Sequence, residues 1–289
     1  MQSSIINSLL LPMALGVIMF GLGLSLTIAD FTRVVRYPKA VLIGLFIQTG
    51  VMPVVCLGIV TALRLPAELA VGLMLLAAAP GGATANIYSH LARGDVALNI
   101  TLTAINSALS LLTLPIVVSL SLWFFMGQEA YVPPPFRKIL EVGIIILGPV
   151  AVGMGIRAWA GGFARHMEKP MRVFSVLLLT ALVVAAVVQE WDNLTRYFAV
   201  VGLACLLFNL ISMGAGYALP RLLQIPNRQA IAIAMEIGIH NGTLAIYIAF
   251  NVLGAGVMSI PAAVYSLIMF VTAALFVWRL NRRTTSAIP

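Results

Sequence analysis

Charged side chains are scarce in this sequence. Only 9% of its 289 residues are Asp, Glu, Lys or Arg, where a soluble domain carries about 25%. So few charges cannot cover a solvated surface, which excludes an ordinary water-soluble domain. Hydrophobic residues make up 61% of the chain and the mean hydropathy is +1.06, so much of the surface must face lipid. Cysteine is nearly absent: Cys56 and Cys205 each sit inside an apolar run, read as packing residues, and imply no disulfide or metal framework. Soluble-enzyme motifs are missing too. There is no Walker A sequence, no HExxH and no nucleophile elbow, and the Gly81-Gly82 pair has neither a preceding strand nor a following Lys to make it a phosphate loop. No enzyme is expected.

What is present is a series of apolar segments. A bilayer core about 30 Å thick takes roughly 20 helical residues, and nine segments fit: 5–28, 40–63, 68–92, 96–126, 137–160, 171–189, 196–219, 227–254 and 259–281. The first has no Lys or Arg before it and is long for a signal peptide, so it reads as a spanning helix. The net charge of +8 fits orientation rather than a nucleic-acid partner. Thirteen of the 17 basic residues, among them Arg33, Lys39, Arg93, Lys169, Arg228 and Arg283, fall on one side; Arg64, Arg137, Lys138 and Arg196 fall on the other. The positive side is cytoplasmic, which places the N-terminus outside, the C-terminus inside and the chain in the plasma (inner) membrane as a multi-pass protein. Trp123, Trp159, Trp191 and Trp278 all lie at expected helix ends, in the headgroup layer.

Two segments break at mid-membrane, at Ala79-Pro80-Gly81-Gly82-Ala83-Thr84-Ala85-Asn86 and at Glu236-Ile237-Gly238-Ile239-His240-Asn241-Gly242-Thr243. Each precedes the last helix of its half. One segment runs inward and the other outward, which makes the halves inverted repeats of four and five helices; equal halves would have one more helix at the start. Interrupted helices at matching positions point to a transporter's binding site.

Nine acidic residues are present, and eight lie in loops or near helix ends. Glu236 alone sits deep in an apolar segment, where a charge costs roughly 2.5–3.5 kcal/mol or more; the alternative is a structural carboxyl that pins the break. Asn99, Thr103 and Asn106, at i, i+4 and i+7, form a polar stripe on one helix face. With Gln48, Thr84, Asn86 and Glu236 they offer hard oxygen ligands and one negative charge, which suits Na⁺; taken singly, such residues are more ordinarily interhelical hydrogen bonders. Half-helix starts at Gly81–Thr84 and Gly242–Thr243 offer free N–H groups to an anion. His240 stands four residues after Glu236, and imidazole is a poor ligand for a hard cation. His90 and His166 read as interface residues.

At these residues the sequence resembles the bile acid:sodium symporter family. The shared features are Met19-Phe20-Gly21-Leu22-Gly23-Leu24, Gln48 with Pro53, the two break motifs, and Leu91-Ala92-Arg93-Gly94-Asp95, spread over nearly the whole chain. The resemblance implies an all-α polytopic membrane protein, one transporter domain over residues 1–289. Two discontinuous helices would cross near the midplane, in a core of about 40–126 and 196–281 beside a panel of about 5–28, 137–160 and 171–189. It maps one sodium site to Asn86, Asn99, Thr103 and Glu236, and a second to Gln48, Glu236, Ile237, Ile239 and His240, the isoleucines acting through their carbonyls. The chain departs from the family at Ala85, where a hydroxyl residue is usual, and at His240, where glutamine is usual. Met269 and Phe270 stand where polar cavity residues are expected.

The expectation is therefore a sodium-coupled, alternating-access symporter of organic anions, from bile-acid-like compounds to small carboxylates. Gly82, Ala83, Thr84 and Asn241 would line the anion site. One alternative is a proton-coupled carrier using Glu236 and His240. Another, of a different class, is a non-transporting membrane sensor, which would bind ligand without flux.

Overall fold

A computed structural model describes residues 11–127 and 136–285. Residues 5–10 of the first expected span, Glu129, and the side chains of Arg137, Lys138, Glu141, Arg172 and Arg283 lie outside the described residues. Among the described residues the only regular elements are helices. The elements are α1 (Leu11–Ser25), α2 (Ile28–Thr32), α3 (Pro38–Phe46), a π-helical turn (Ile47–Val51), α4 (Met52–Ala62), α5 (Ala67–Ala78), α6 (Ala85–Leu91), α7 (Val96–Met126), α8 (Phe136–Trp159), α9 (Gly161–Gln189), α10 (Trp191–Leu222), α11 (Asn227–Gly238), α12 (Gly242–Asn251) and α13 (Ile260–Thr285).

Helix occupies each of the nine expected segments. Among the described residues four stretches, Pro38–Ala62, Val96–Met126, Thr195–Leu222 and Gly256–Arg282, are by themselves long and apolar enough to cross a membrane. After α1 the chain bends by 75° into Ile28–Val35. There Asp30, which the sequence places near a helix end, is 3% exposed. Its carboxylate accepts from Thr27 N at 2.6 Å and Thr27 Oγ1 at 2.7 Å and pairs with Arg33. The span expected at 171–189 begins ten residues early, because α9 runs unbroken from Gly161 through Pro170. Those glycine and proline residues suggest a loop, but a proline removes only one N–H bond from a helix that long.

Two hairpins repeat one construction. After α4 the chain takes a left-handed turn at Arg64 (φ 51°), then Leu65 and Pro66 lead into α5; after α10 Gln224 (φ 62°), Ile225 and Pro226 lead into α11. In each hairpin the residue after the left-handed one bonds back into the preceding helix, Leu65 N to Val60 O at 3.0 Å and Ile225 N to Pro220 O at 2.9 Å. This is the left-handed C-terminal cap with its buried hydrophobic follower. Proline then stands at the N-cap of the next helix in each hairpin, where no helical bond needs its missing N–H.

Close approach fixes the remaining packing. Gly23 of α1 and Gly153 of α8 lie against each other's helix: a Cβ at either would strike the partner's backbone at Val150 or at Phe20 and Gly23. Small residues at such contacts are how membrane helices meet closely. α9 packs on the same α1, and α10 packs on α11 and α13. Helix α7 is two-faced. Leu112, Ile116 and Leu120, four residues apart, are 58–68% exposed and face the lipid side, whereas Asn99, Thr103 and Asn106 are at most 2% exposed. Trp159 and Trp191, at the ends of α8 and α10, are 93% and 58% exposed.

Candidate ion and substrate site

Helices α5 and α11 stop in mid-fold, and their unwound ends bond to each other. Gly82 N donates to Ile239 O at 2.7 Å and Asn241 N donates to Pro80 O at 2.8 Å, so Gly81 and His240 face each other across one antiparallel bridge. Backbone groups away from water must find partners inside the protein, and each break supplies them to the other. In a continuing helix Asn241 N would bond Ile237 O; here that carbonyl is released. Side chains complete the balance. Gly238 O accepts from Asn209 Nδ2 at 2.8 Å and Tyr265 OH at 3.0 Å, and Asn209 Oδ1 in turn accepts from Thr272 at 2.5 Å. Glycine is required at 81 because a Cβ there would overlap the Glu236 carboxyl.

Beside the crossing lies a carboxylate cluster. Glu236, 2% exposed, stands on α11 with its Oε2 2.6 Å from the Thr103 hydroxyl on α7. One turn away Asn99 Nδ2 donates to Ala232 O at 2.8 Å. The i, i+4 stripe of α7 thus faces α11, as its spacing predicts. Acceptor oxygens are left over. Asn99 Oδ1, Asn86 Oδ1 and Gln48 Oε1 are buried without a hydrogen-bond partner; Glu236 Oε1 makes no bond of regular geometry, although the Asn106 amide and the Gly81 N–H approach the carboxyl. An unsatisfied buried polar group costs about 1–3 kcal/mol, so orphaned acceptors on these chosen residues fit a cation. Among the described residues no three His, Cys, Asp or Glu side chains gather as a metal site. A single carboxylate with neutral oxygens suits a hard, weakly charged ion rather than a transition metal.

The second expected set fits less well. Gln48 sits on the π-helical turn, a distortion common at functional sites. Its Nε2 lies 3.1 Å from Ala79 O and 3.3 Å from His240 Nδ1, and Nδ1 is also 3.2 Å from Ala79 O. The Ile239 carbonyl already accepts from Gly82, leaving one lone pair. His240 is pinned between Phe208 and Tyr265, with ring centroids 5.6 and 5.4 Å away. Its Nδ1 faces Gln48 and Ala79, and no hydrogen bond joins it to Glu236. Gln48 Oε1 is left without a hydrogen-bond partner.

A cavity of about 290 Å³ adjoins the crossing. All four expected anion-site residues, Gly82, Ala83, Thr84 and Asn241, line it, together with Asn86, His240, Gly242 and Thr243. Asn241 Oδ1 caps α12 by accepting from Leu244 N at 3.1 Å. The opposite wall comes from α1 and α9 through Ile18, Gly21, Leu22, Ser25, Glu168 and Ser175. Sequence reasoning misses these wall residues, because nothing in an apolar run marks which serine meets a cavity. His90, expected at an interface, also lines it. Asn209 is missed as well, although its signal exists: an Asn central in an apolar segment, like Asn99. Met269 is 1% exposed and Phe270 stacks on Tyr88 at 6.1 Å; neither lines the cavity.

Comparison with known proteins bears on this site. A profile described as "Sodium Bile acid symporter family" matches residues 12–197. A Bacillus subtilis protein described as an uncharacterized sodium-dependent transporter is 33% identical over 260 residues, covering 87% of this chain and 77% of that one. A probable chloroplastic sodium/metabolite cotransporter of rice is 27% identical over 90% of this chain and 64% of its own. Human sodium/bile acid cotransporter 4 is 26% identical over 91% of this chain and 61% of its own. The chain thus spans less than two thirds of the length of the rice and human relatives.

Proposed function

We infer that this chain, which belongs to the sodium bile acid symporter family, couples the inward movement of Na⁺ to that of a small organic anion. The observation that carries this reading is the buried Glu236 carboxyl with the unpartnered oxygens of Asn99 and Asn86, beside a cavity that opens on the crossing. Glu236 supplies the charge that holds Na⁺, with Asn86, Asn99 and Thr103 as neutral oxygen ligands. Gln48 with the Ile237 and Ile239 carbonyls is the place for any second cation. Gly82, Ala83, Thr84 and Asn241 hold the anion at the breaks; the N–H groups of Gly82 and Asn241 are used across the bridge, and the dipole at the start of α12 favours negative charge.

Coupling follows from placement. A cation at Glu236 cancels the negative charge that would repel the substrate, and a bound anion adds attraction for the cation, so each ligand lowers the cost of the other. The cavity, at about 290 Å³, sits at the lower end of pockets for drug-sized ligands, which favours a small carboxylate over a sterol-sized one. One wall belongs to α1 and α9 and the other to the crossing. Relative movement of α1, α8 and α9 against the rest would open the same site to either side, which is alternating access. The basic residues orient the chain in the plasma membrane with the N-terminus outside.

The test is uptake into proteoliposomes under an imposed Na⁺ gradient. Wild type accumulates substrate, and Glu236→Ala lowers Na⁺-driven uptake on the order of 10–100-fold, the loss expected for a charge-assisted contact. Full Na⁺-dependent uptake by the variant would refute this mechanism. Uptake driven by a pH gradient without Na⁺ would replace it with proton coupling.

A further inference from the structure

We propose that the outer face of α13 binds one anionic phospholipid, with an acyl chain in a groove of the helix and the phosphate on Arg279 and Arg282. The site is separate from the crossing and does not depend on which ion or cargo the chain carries. Its ground is a shallow groove lined by Phe270, Val271, Ala274, Leu275 and Trp278. Val271, Leu275 and Trp278 are 62%, 59% and 53% exposed, so the groove faces out of the bundle. It lies within the membrane-length stretch Gly256–Arg282.

The groove follows from helical spacing. Residues four apart form rows along a helix, and two neighbouring rows run here: Phe270, Ala274, Trp278 and Arg282, and beside them Val271, Leu275 and Arg279. Ala274 lacks the bulk of Phe270 and Trp278 on either side of it, which leaves the dip. Phe270 is held by Tyr88 of α6, whose ring stacks on it at 6.1 Å and whose hydroxyl donates to the Phe270 carbonyl at 3.3 Å. That wall therefore stands without a ligand. Each row ends in an arginine beside Trp278, a residue type that prefers the headgroup layer. The Arg282 guanidinium lies over the Trp278 ring at 4.0 Å. Stacking uses the face of that group and leaves its N–H edge for the oxygens of a phosphate. Among the described residues no carboxylate forms an ion pair with Arg279 or Arg282. An apolar groove ending at two such cations matches one lipid molecule with a net negative headgroup. A zwitterionic headgroup brings its own cation to compete for the phosphate, and a soluble anion leaves the groove unused. Both arginines lie on the side that carries most of the basic residues, so the lipid belongs to that leaflet.

The test places the full chain in phosphatidylcholine vesicles and reads tryptophan quenching by lipids brominated on the acyl chain. Subtracting the signal of Trp278→Phe from wild type isolates Trp278 from Trp123, Trp159 and Trp191. Brominated phosphatidylglycerol should half-quench Trp278 at a mole fraction roughly 10- to 25-fold lower than brominated phosphatidylcholine. Arg279→Gln and Arg282→Gln should each lose about fivefold of that preference, the worth of one basic residue at an anionic surface. Arg282→Lys should keep part of it, because the charge stays while the stacked fork goes. Ala274→Phe fills the dip and leaves both arginines in place. It should remove most of the preference while the thermal midpoint in detergent holds. Equal quenching by the two lipids would overturn the proposal, since the groove then takes bulk lipid only. A preference untouched by Ala274→Phe would overturn it too, reducing the site to surface charge. So would loss of the preference on adding inorganic phosphate at constant ionic strength, because an anion without a chain then suffices. If neither lipid quenches Trp278 and the protein forms a dimer that Ala274→Phe disrupts, the groove belongs to a second copy and the lipid site falls.

Discussion

Glu236 offers two different oxygens. Oε2 accepts from the Thr103 hydroxyl at 2.6 Å, and Oε1 makes no hydrogen bond of regular geometry. Thr103→Val keeps the side-chain shape and deletes the hydroxyl. It should raise the Na⁺ concentration for half-maximal thermal stabilisation about tenfold, the worth of one hydrogen bond to a charged group, while substrate KM at saturating Na⁺ holds. An unchanged Na⁺ response would remove Thr103 from the cation site. This contact is legible in the sequence alone, because a single deep carboxylate and a polar stripe of helical spacing can meet only in the bundle interior. The pairing of Gln48 with His240 is not, since the two are 192 residues apart and no local periodicity connects them.

Helices here stop and start by two kinds of signal. The breaks after α5 and α11 are readable because Pro80-Gly81-Gly82 and Gly238 interrupt apolar runs that otherwise continue. The hairpin caps are less obvious, because Arg64 and Gln224 occupy a left-handed conformation that disfavours any residue with a Cβ. Arg64→Gly and Gln224→Gly should each stabilise the folded protein by about 0.5–1 kcal/mol, relief of backbone strain outweighing the added freedom of the unfolded chain. The check is the thermal midpoint in detergent, where a rise is expected for both and for the double variant. A fall in both would mean the caps are not strained as their dihedrals imply. The length of α9 is not legible for the opposite reason: Gly161, Gly162 and Pro170 look like punctuation but lie within a helix.

Over the whole molecule, the two halves carry the same sequence of parts: a capped hairpin, a helix that stops short, a half-helix and a long final helix. The sequence shows this as paired breaks at corresponding places, while their mutual hydrogen bonds appear only in the fold. Neighbouring sites of opposite charge preference predict reciprocal linkage. Na⁺ and a carboxylate substrate together should raise the thermal midpoint by more than the sum of their separate shifts, and each should lower the half-saturating concentration of the other by the same factor. Strictly additive shifts would mean that the sites do not communicate. What the sequence leaves unmarked is the wall contributed by α1 and α9, where Ser25 and Ser175 meet the cavity, because a serine on an apolar helix looks the same whether it faces lipid, protein or a void.

The bridge at Gly81 and His240 has a mechanical consequence. The Glu236 carboxyl rests against Gly81, and the cavity wall at Gly82 and Asn241 belongs to the same two crossed segments. Ion and cargo would therefore grip one stiff knot of main chain, a peptide unit or two apart. A knot tied from both halves gives neither passenger a private exit. On the proposed reading, whatever pulled it open for one would loosen the hold on the other, so the two would leave on the same excursion or stay aboard.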